Sequence, residues 1–167
     1  ALSLLSQGAP SNDYAGNITA KISGGAVLES KNNYAVVEAF VKGSTEVKFK
    51  SLSIKGGTFT GGTAALSIVH TDGVTITGGS YTVTAAGHGM AGKDSLAVAG
   101  GTFTITSGKD GLHAENADDS SLGFLYVADG EFTIAAQGDA VSASGALQAD
   151  GGTFDLTTGE GSASVTM

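Results

Sequence analysis

Short runs in which apolar and polar residues alternate recur along this chain at a nearly constant distance. Each copy contains an aromatic residue within the phrase Gly-Gly-Thr-Phe-Thr or a variant of it, and successive aromatics lie 22, 22, 29 and 22 residues apart. A fixed period of this length predicts one supersecondary unit repeated along the chain. The interval of 29 is the same unit with an insertion, and Val27 takes the aromatic position in an earlier copy. The five marker aromatics are Phe59, Tyr81, Phe103, Phe132 and Phe154.

Each unit contains three alternating runs, which is the period-two pattern of β-strands. One run precedes the aromatic, one contains it, and one follows it; glycine, aspartate, asparagine and serine between them suit tight turns. Three short strands per unit predict an all-β chain, a single-stranded parallel β-helix (solenoid) of about six rungs of ~22 residues. A doubly wound α/β fold is disfavoured because no amphipathic helical segment separates the strands, whereas a β-sandwich stays open.

The regularity of the repeat differs along the chain. Residues 51–167 hold the regular repeats, and residues 1–50 are predicted to form one or more irregular opening coils of the same continuous domain. Neither end of the repeat region shows a capping helix in the pattern, so end-to-end self-association is a possible use of the open strand edges.

Charged residues are distributed unevenly along the chain, and this distribution disfavours some classes of binding partner. All eight basic residues are lysines, and the segment from Gly56 to Met167 has two lysines against twelve acidic residues. An acidic surface without arginine does not favour nucleic acid, and a cation suits it better. No apolar stretch is long enough to predict a membrane span, and the chain has no cysteine.

Acidic and amide residues gather in the predicted turns, which predicts a calcium site. Equivalent turns in adjacent rungs lie roughly 5 Å apart, so their carboxylates repel each other unless a cation neutralises them. Calcium accepts carboxylate, amide and backbone oxygens. The turn position seven residues after the marker aromatic holds His88, Asp110 and Asp139, and Glu160 lies one residue before the equivalent position. Asp72 and Asp150 are interpreted as residues that only close turns. The candidate calcium ligands are Asp94, Asp110, Asn116, Asp118 and Asp119. A zinc site made of His70, His88 and His113 is not expected, because the three occupy different columns.

Residues 87–156 carry a family resemblance. The segments Gly92–Leu96, Gly100–Ile105 and Gly108–Ala114 read GKDSL, GGTFTI and GKDGLHA. They resemble repeats of secreted bacterial carbohydrate-binding β-helix proteins, with a weaker likeness over the rest of residues 50–167. The resemblance implies a right-handed parallel β-helix, a secreted or cell-surface location, calcium binding, and a cellulose or acidic plant polysaccharide as partner. It also implies that Asp139 shares the family's acidic turn positions with Asp94 and Asp110.

Two aromatic residues form the predicted sugar site. In the strand of the long repeat, Leu125 and Val127 match the buried columns, so Phe124 and Tyr126 are expected to face outward. Adjacent outward rings offer a stacking face to a pyranose, and tyrosine adds a polar edge. The alternative is that the insertion folds over both rings and Leu122 packs on Phe124.

Three function classes follow. The leading one is a non-catalytic extracellular polysaccharide-binding module stabilised by calcium. The second is a structural or adhesive protein, such as a surface fibre or filament subunit. The third is a polysaccharide lyase, which is disfavoured because arginine is absent and only Lys93 and Lys109 in the repeats could act as the base.

Overall fold

In the parts of the chain that the structure describes, the alternating runs of the sequence form β-strands. The structure is a computed structural model that describes residues 2–6, 19–40, 51–68, 74–159 and 161–166. Within these residues the strands are β1 Leu2–Ser6, β2 Thr19–Ser23, β3 Val27–Ser30, β4 Val36–Phe40, β5 Ser51–Lys55, β6 Gly57–Gly61, β7 Ala64–Ile68, β8 Val74–Ile76, β9 Ser80–Ala85, β10 His88–Gly92, β11 Ser95–Val98, β12 Thr102–Ser107, β13 Leu112–Ala114, β14 Phe124–Val127, β15 Glu131–Ala136, β16 Val141–Ala143, β17 Leu147–Ala149, β18 Thr153–Thr158 and β19 Gly161–Thr166.

The strands form three sheets, and successive repeats pair with each other in each sheet. The first sheet has the order β1-β4-β7-β10-β13-β16, the second β17-β14-β11-β8-β5-β2, and the third β19-β18-β15-β12-β9-β6-β3. Neighbouring strands are parallel except for β18 and β19, which pair antiparallel from Thr158 with Gly161 to Thr153 with Thr166. Strands from residues 1–50 join the same sheets as strands from the regular repeats.

The prediction of a single-stranded right-handed parallel β-helix was therefore wrong as stated. The all-β class holds, but the strands form three separate sheets, and the outermost strand of the third reverses direction. The period predicts which residues of successive repeats become neighbours, so it predicts parallel pairing only for strands that belong to the repeats. After β18 the chain folds back, and β19 pairs with β18 in the antiparallel direction instead of continuing the parallel order.

The marker aromatics form the core of the third sheet. Tyr81, Phe103, Phe132 and Phe154 are buried, and their rings stack at centroid distances of 4.4, 4.7 and 4.8 Å, within 7° of parallel. The spacing of strands in a sheet, about 4.8 Å, sets this ring separation. The Tyr81 hydroxyl lies 2.8 Å from the Ile54 carbonyl, which gives the polar end of this buried ring a partner.

Two registers differ from the sequence alignment. Leu28, not Val27, lies opposite Phe59, and Val27 is 71% exposed. A shift of one residue turns a side chain to the other face of a strand, so this alignment was wrong by one position. Tyr81 lies opposite Gly57 and Phe59 lies opposite Val83, a shift of two residues that keeps both rings in the core.

The insertion of the long repeat lies between β13 and β14, where the 29-residue interval places it. Leu147 lies opposite buried Leu125 but is 53% exposed, because β17 is the outermost strand of its sheet in the described part of the chain. Within the described residues, no helix has the length and apolar character needed to cross a bilayer.

Candidate functional site

Two histidines and an aspartate meet where β10 and β13 pair. Ala91 lies opposite His113 in this parallel register, and the Gly89 amide donates to the Asp110 carbonyl over 2.9 Å. His88 opens β10, Asp110 lies in the turn before β13, and His113 is the central residue of β13. The period of 22 residues therefore makes His88 and Asp110 lateral neighbours. His113 follows Asp110 by three residues and completes the cluster.

The ring nitrogens converge on one carboxylate oxygen. Asp110 Oδ2 lies 2.8 Å from His113 Nδ1 and 3.3 Å from His88 Nδ1. The two imidazole rings stack at a centroid distance of 3.9 Å and an angle of 20°. Both Nδ1 atoms are buried, and neither makes a hydrogen bond of acceptable geometry despite the nearby carboxylate. Buried polar atoms normally have partners, so these two nitrogens call for an explanation.

Neighbouring groups fix the orientation of the cluster. The Asp139 amide donates to Asp110 Oδ1 over 2.9 Å, which leaves Oδ2 for the histidines. Gly138 makes room for this contact, since a Cβ there would lie 2.4 Å from Asp110 Oδ1. On the far side of its ring, His113 Nε2 lies 3.2 Å from Glu115 Oε2.

Burial lowers the pKa of His88 below its usual range. The positive charge that His113 and Lys109 can carry lowers the pKa further, while Asp110 and Glu115 raise it without reversing the direction. The folded protein therefore favours a neutral His88 imidazole near neutral pH.

The sequence pattern did not reveal this cluster. The zinc site that the pattern disfavoured contained only histidines, and one of them, His70, lies outside the described residues, as do Asp72 and Glu160. The missed signal was the turn column itself, where His88 takes the position that an aspartate holds in the next two repeats. A second histidine three residues after that aspartate could have completed the pattern.

The calcium candidates of the insertion are held by hydrogen bonds. Asn116 is buried and donates its side-chain amide to Asp94 Oδ1 over 2.7 Å. Its side-chain oxygen, Oδ1, accepts hydrogen bonds from the backbone amides of Asp118 and Asp119, both over 2.9 Å. Asn116 thus organises the turn that carries both aspartates and connects it to Asp94.

Their carboxylates have local partners as well. Asp118 Oδ2 lies 2.7 Å from Lys93 Nζ, and this contact lowers the pKa of the Asp118 carboxyl. Asp119 Oδ1 accepts the hydroxyl and the amide of Ser121, which lowers the pKa of Asp119. The structure thus brings Asp94 together with Asn116 and its turn, while Asp110 meets the two histidines and Asp139 contacts Asp110 through its backbone amide. Calcium ligation by these residues stays a prediction.

The two aromatic residues of the predicted sugar site, Phe124 and Tyr126, lie next to each other on the exposed face of the second sheet. Along β14, Phe124 and Tyr126 alternate with buried Leu125 and Val127. Phe124 is 43% exposed and Tyr126 is 37% exposed. Small residues of β11 lie opposite them, Ser95 beside Phe124 and Ala97 beside Tyr126. Such short side chains leave room beside both rings.

A polar group borders this surface. The Tyr126 hydroxyl donates to Asp150 Oδ2 over 2.7 Å, and the Gln148 side-chain amide donates to Asp150 Oδ1 over the same distance. The hydrogen bond to Asp150 raises the pKa of Tyr126, and the bonds from Gln148 and Tyr126 lower that of Asp150. Asp150, read from the sequence as a turn residue only, therefore orients the exposed tyrosine.

Comparison with known proteins gives one family. A family described as "Carbohydrate-binding domain-containing protein" matches residues 50–167, which include β14 and the histidine cluster. The comparisons with curated proteins and with solved structures found no match. Because the family match covers more than half of the sequence, the chain belongs to the family of carbohydrate-binding domain-containing proteins.

Proposed function

We propose that this protein is a non-catalytic module that binds a polysaccharide on the outward face of the second sheet. The observation that carries the proposal is the pair of exposed rings on β14, Phe124 and Tyr126, in a chain whose family binds carbohydrate. Residues two apart on a strand are roughly 7 Å apart, so the two rings can contact neighbouring parts of one sugar chain.

The chemistry of the surface suits a sugar. The apolar C–H face of a pyranose packs on an aromatic ring, as other apolar surfaces do. Hydroxyl groups at the edge of the sugar need donors and acceptors, and the oxygens of Asp150 and the amide of Gln148 supply both beside Tyr126. Since Asp150 already holds the tyrosine hydroxyl in place, little side-chain freedom is lost when a sugar binds.

A catalytic role is not part of the proposal. Of the two lysines considered as a lyase base, Lys93 is paired with the Asp118 carboxylate at 2.7 Å. An ion pair favours the charged form of a lysine, whereas a general base must be uncharged.

The proposal also includes an extracellular location and stabilisation by calcium. An exposed sugar-binding face suits a protein that meets polysaccharide outside the cell. The carboxylates of Asp118 and Asp119 are exposed on the insertion, and their oxygens are of the type that calcium accepts.

Retention on insoluble polysaccharide tests the binding site. The wild-type protein and the double variant Phe124→Ala/Tyr126→Ala are incubated with cellulose and with insoluble polygalacturonate, with and without calcium. We expect the wild type to be retained on at least one polymer and the double variant to be lost from it. Equal retention of a folded double variant would exclude this face as the site. Release of soluble sugar during the incubation would contradict the non-catalytic assignment.

A further inference from the structure

The histidine cluster has the composition of a transition-metal site. Zn²⁺ and related ions bind imidazole nitrogen and carboxylate oxygen, and three protein ligands with an open position are a common arrangement. One ring nitrogen of His88, one of His113 and a carboxylate oxygen of Asp110 all lie within 4.8 Å of one another. Calcium takes oxygen ligands almost entirely, so this pair of imidazoles separates the cluster from the predicted calcium sites.

We propose that His88, Asp110 and His113 bind a divalent transition-metal ion of the Zn²⁺ type, held between β10 and β13. This inference does not depend on the sugar-binding proposal, because the cluster lies in the first sheet and the aromatic pair lies in the second.

The distances support direct ligation. Two ligands that are each about 2.0–2.1 Å from a tetrahedral Zn²⁺ lie about 3.3 Å from each other. The observed separations of Asp110 Oδ2 from the two Nδ1 atoms are 2.8 and 3.3 Å. These two separations are close to those of a tetrahedral site, and the stacked rings must tilt away from parallel so that both Nδ1 lone pairs point at the ion.

Glu115 prepares His113 for this role. A histidine that binds a metal through one nitrogen usually donates its other N–H to a carboxylate, which fixes the tautomer. Glu115 Oε2 lies 3.2 Å from His113 Nε2, so in the tautomer whose Nε2 proton is donated to Glu115 the lone pair is on Nδ1. That lone pair then faces the Asp110 oxygen at 2.8 Å, and a cation between these atoms removes the repulsion.

The stacking of the two rings agrees with this assignment. Two protonated imidazoles stacked at 3.9 Å would repel each other, whereas neutral rings stack without this cost and are the form that binds metal. The two Nδ1 atoms without a hydrogen bond are the same atoms that would bind the ion. A metal thus explains both unsatisfied nitrogens with one group.

Zinc titration of the full chain, purified without a histidine tag and treated with EDTA before dialysis, tests the proposal. Calorimetry is expected to give one zinc per chain, and Co²⁺ in place of zinc is expected to give visible d–d absorption from nitrogen-containing ligation. Millimolar calcium should not displace the zinc, because imidazole is a poor calcium ligand.

Variants assign the ligands. Asp110→Asn keeps an oxygen to accept the Asp139 amide but removes the charge, and His88→Gln and His113→Gln each remove one imidazole. Each is expected to weaken zinc binding by more than about 100-fold, and Glu115→Gln by about 10-fold, as expected for an outer partner of a ligand. The control Asp155→Asn, at an exposed position of β18, should bind zinc like the wild type.

Two results would overturn the proposal. One is a wild-type protein without saturable zinc binding, and the other is a folded Asp110→Asn variant that binds zinc as tightly as the wild type does. If the histidine variants fail to fold, Asp110→Asn still decides the question, because its side chain has almost the same shape. Loss of zinc binding with intact polysaccharide retention would show that the two sites are separate.

Discussion

Removal of the aromatic pair on β14 should weaken polysaccharide binding by a predictable amount. A phenylalanine or tyrosine side chain offers about 200 Å² for burial, so exposures of 43% and 37% leave about 85 Å² on Phe124 and about 75 Å² on Tyr126 for a ligand. A sugar chain that lies on the sheet covers about half of each area. At about 25 cal/mol per Å², this coverage contributes about 1 kcal/mol per ring.

The double variant Phe124→Ala/Tyr126→Ala should therefore lose about 2 kcal/mol, which raises the Kd about 30-fold. Each single variant should raise the Kd about 5-fold. Depletion isotherms on the polymer that retains the wild type measure these values, and circular dichroism checks that each variant is folded.

The matched control is Val27→Ala, which removes an exposed apolar side chain from the third sheet. It should leave the Kd unchanged. The reasoning is refuted if the folded double variant binds within about 2-fold of the wild type. It is also refuted if Val27→Ala weakens binding as much as the double variant does, because the loss would then reflect general surface hydrophobicity.

Three further predictions concern stability. Phe103→Ala should lower the free energy of unfolding by about 3–5 kcal/mol in a urea titration, because the ring is buried between Tyr81 and Phe132; a loss below about 1 kcal/mol would mean that the stack is not a tight core. Because the pKa of His88 is lowered in the folded protein, His88 of the unfolded chain binds a proton first as the pH falls. The contribution of the neutral His88 to the stability of the folded state is therefore intact above about pH 6.5 and is lost as the pH falls below it. The drop in melting temperature from pH 7.5 to 5.5 should thus be smaller in His88→Gln than in the wild type, and equal drops would argue against a partly buried neutral imidazole. Calcium added back to EDTA-treated protein should raise the melting temperature if calcium stabilises the insertion, and an unchanged melting curve would contradict the calcium proposal.

The candidate sites were predictable to different degrees. The outward direction of Phe124 and Tyr126 follows from strand alternation, and the burial pattern of β14 agrees with it. The role of Asp150 was missed because its contact with Tyr126 crosses from one repeat to the next. The histidine cluster was missed for a related reason, since His88 and His113 belong to different columns yet their rings stack over Asp110. Equivalent positions in successive repeats predict which Cα atoms are adjacent, whereas contacts between rings also depend on the length and rotamer of each side chain.

The all-β class, the three strands of each repeat and the stacking of the marker aromatics from Tyr81 to Phe154 could be predicted from the sequence. These features follow from local alternation and a fixed period, both of which are visible in the sequence. Three other features became visible in the folded protein: the two-residue shift between β6 and β9, the antiparallel pairing of β19, and the meeting of two imidazoles with one carboxylate. These depend on contacts between residues distant in sequence, where packing and hydrogen bonding select among registers that the local pattern leaves equally open.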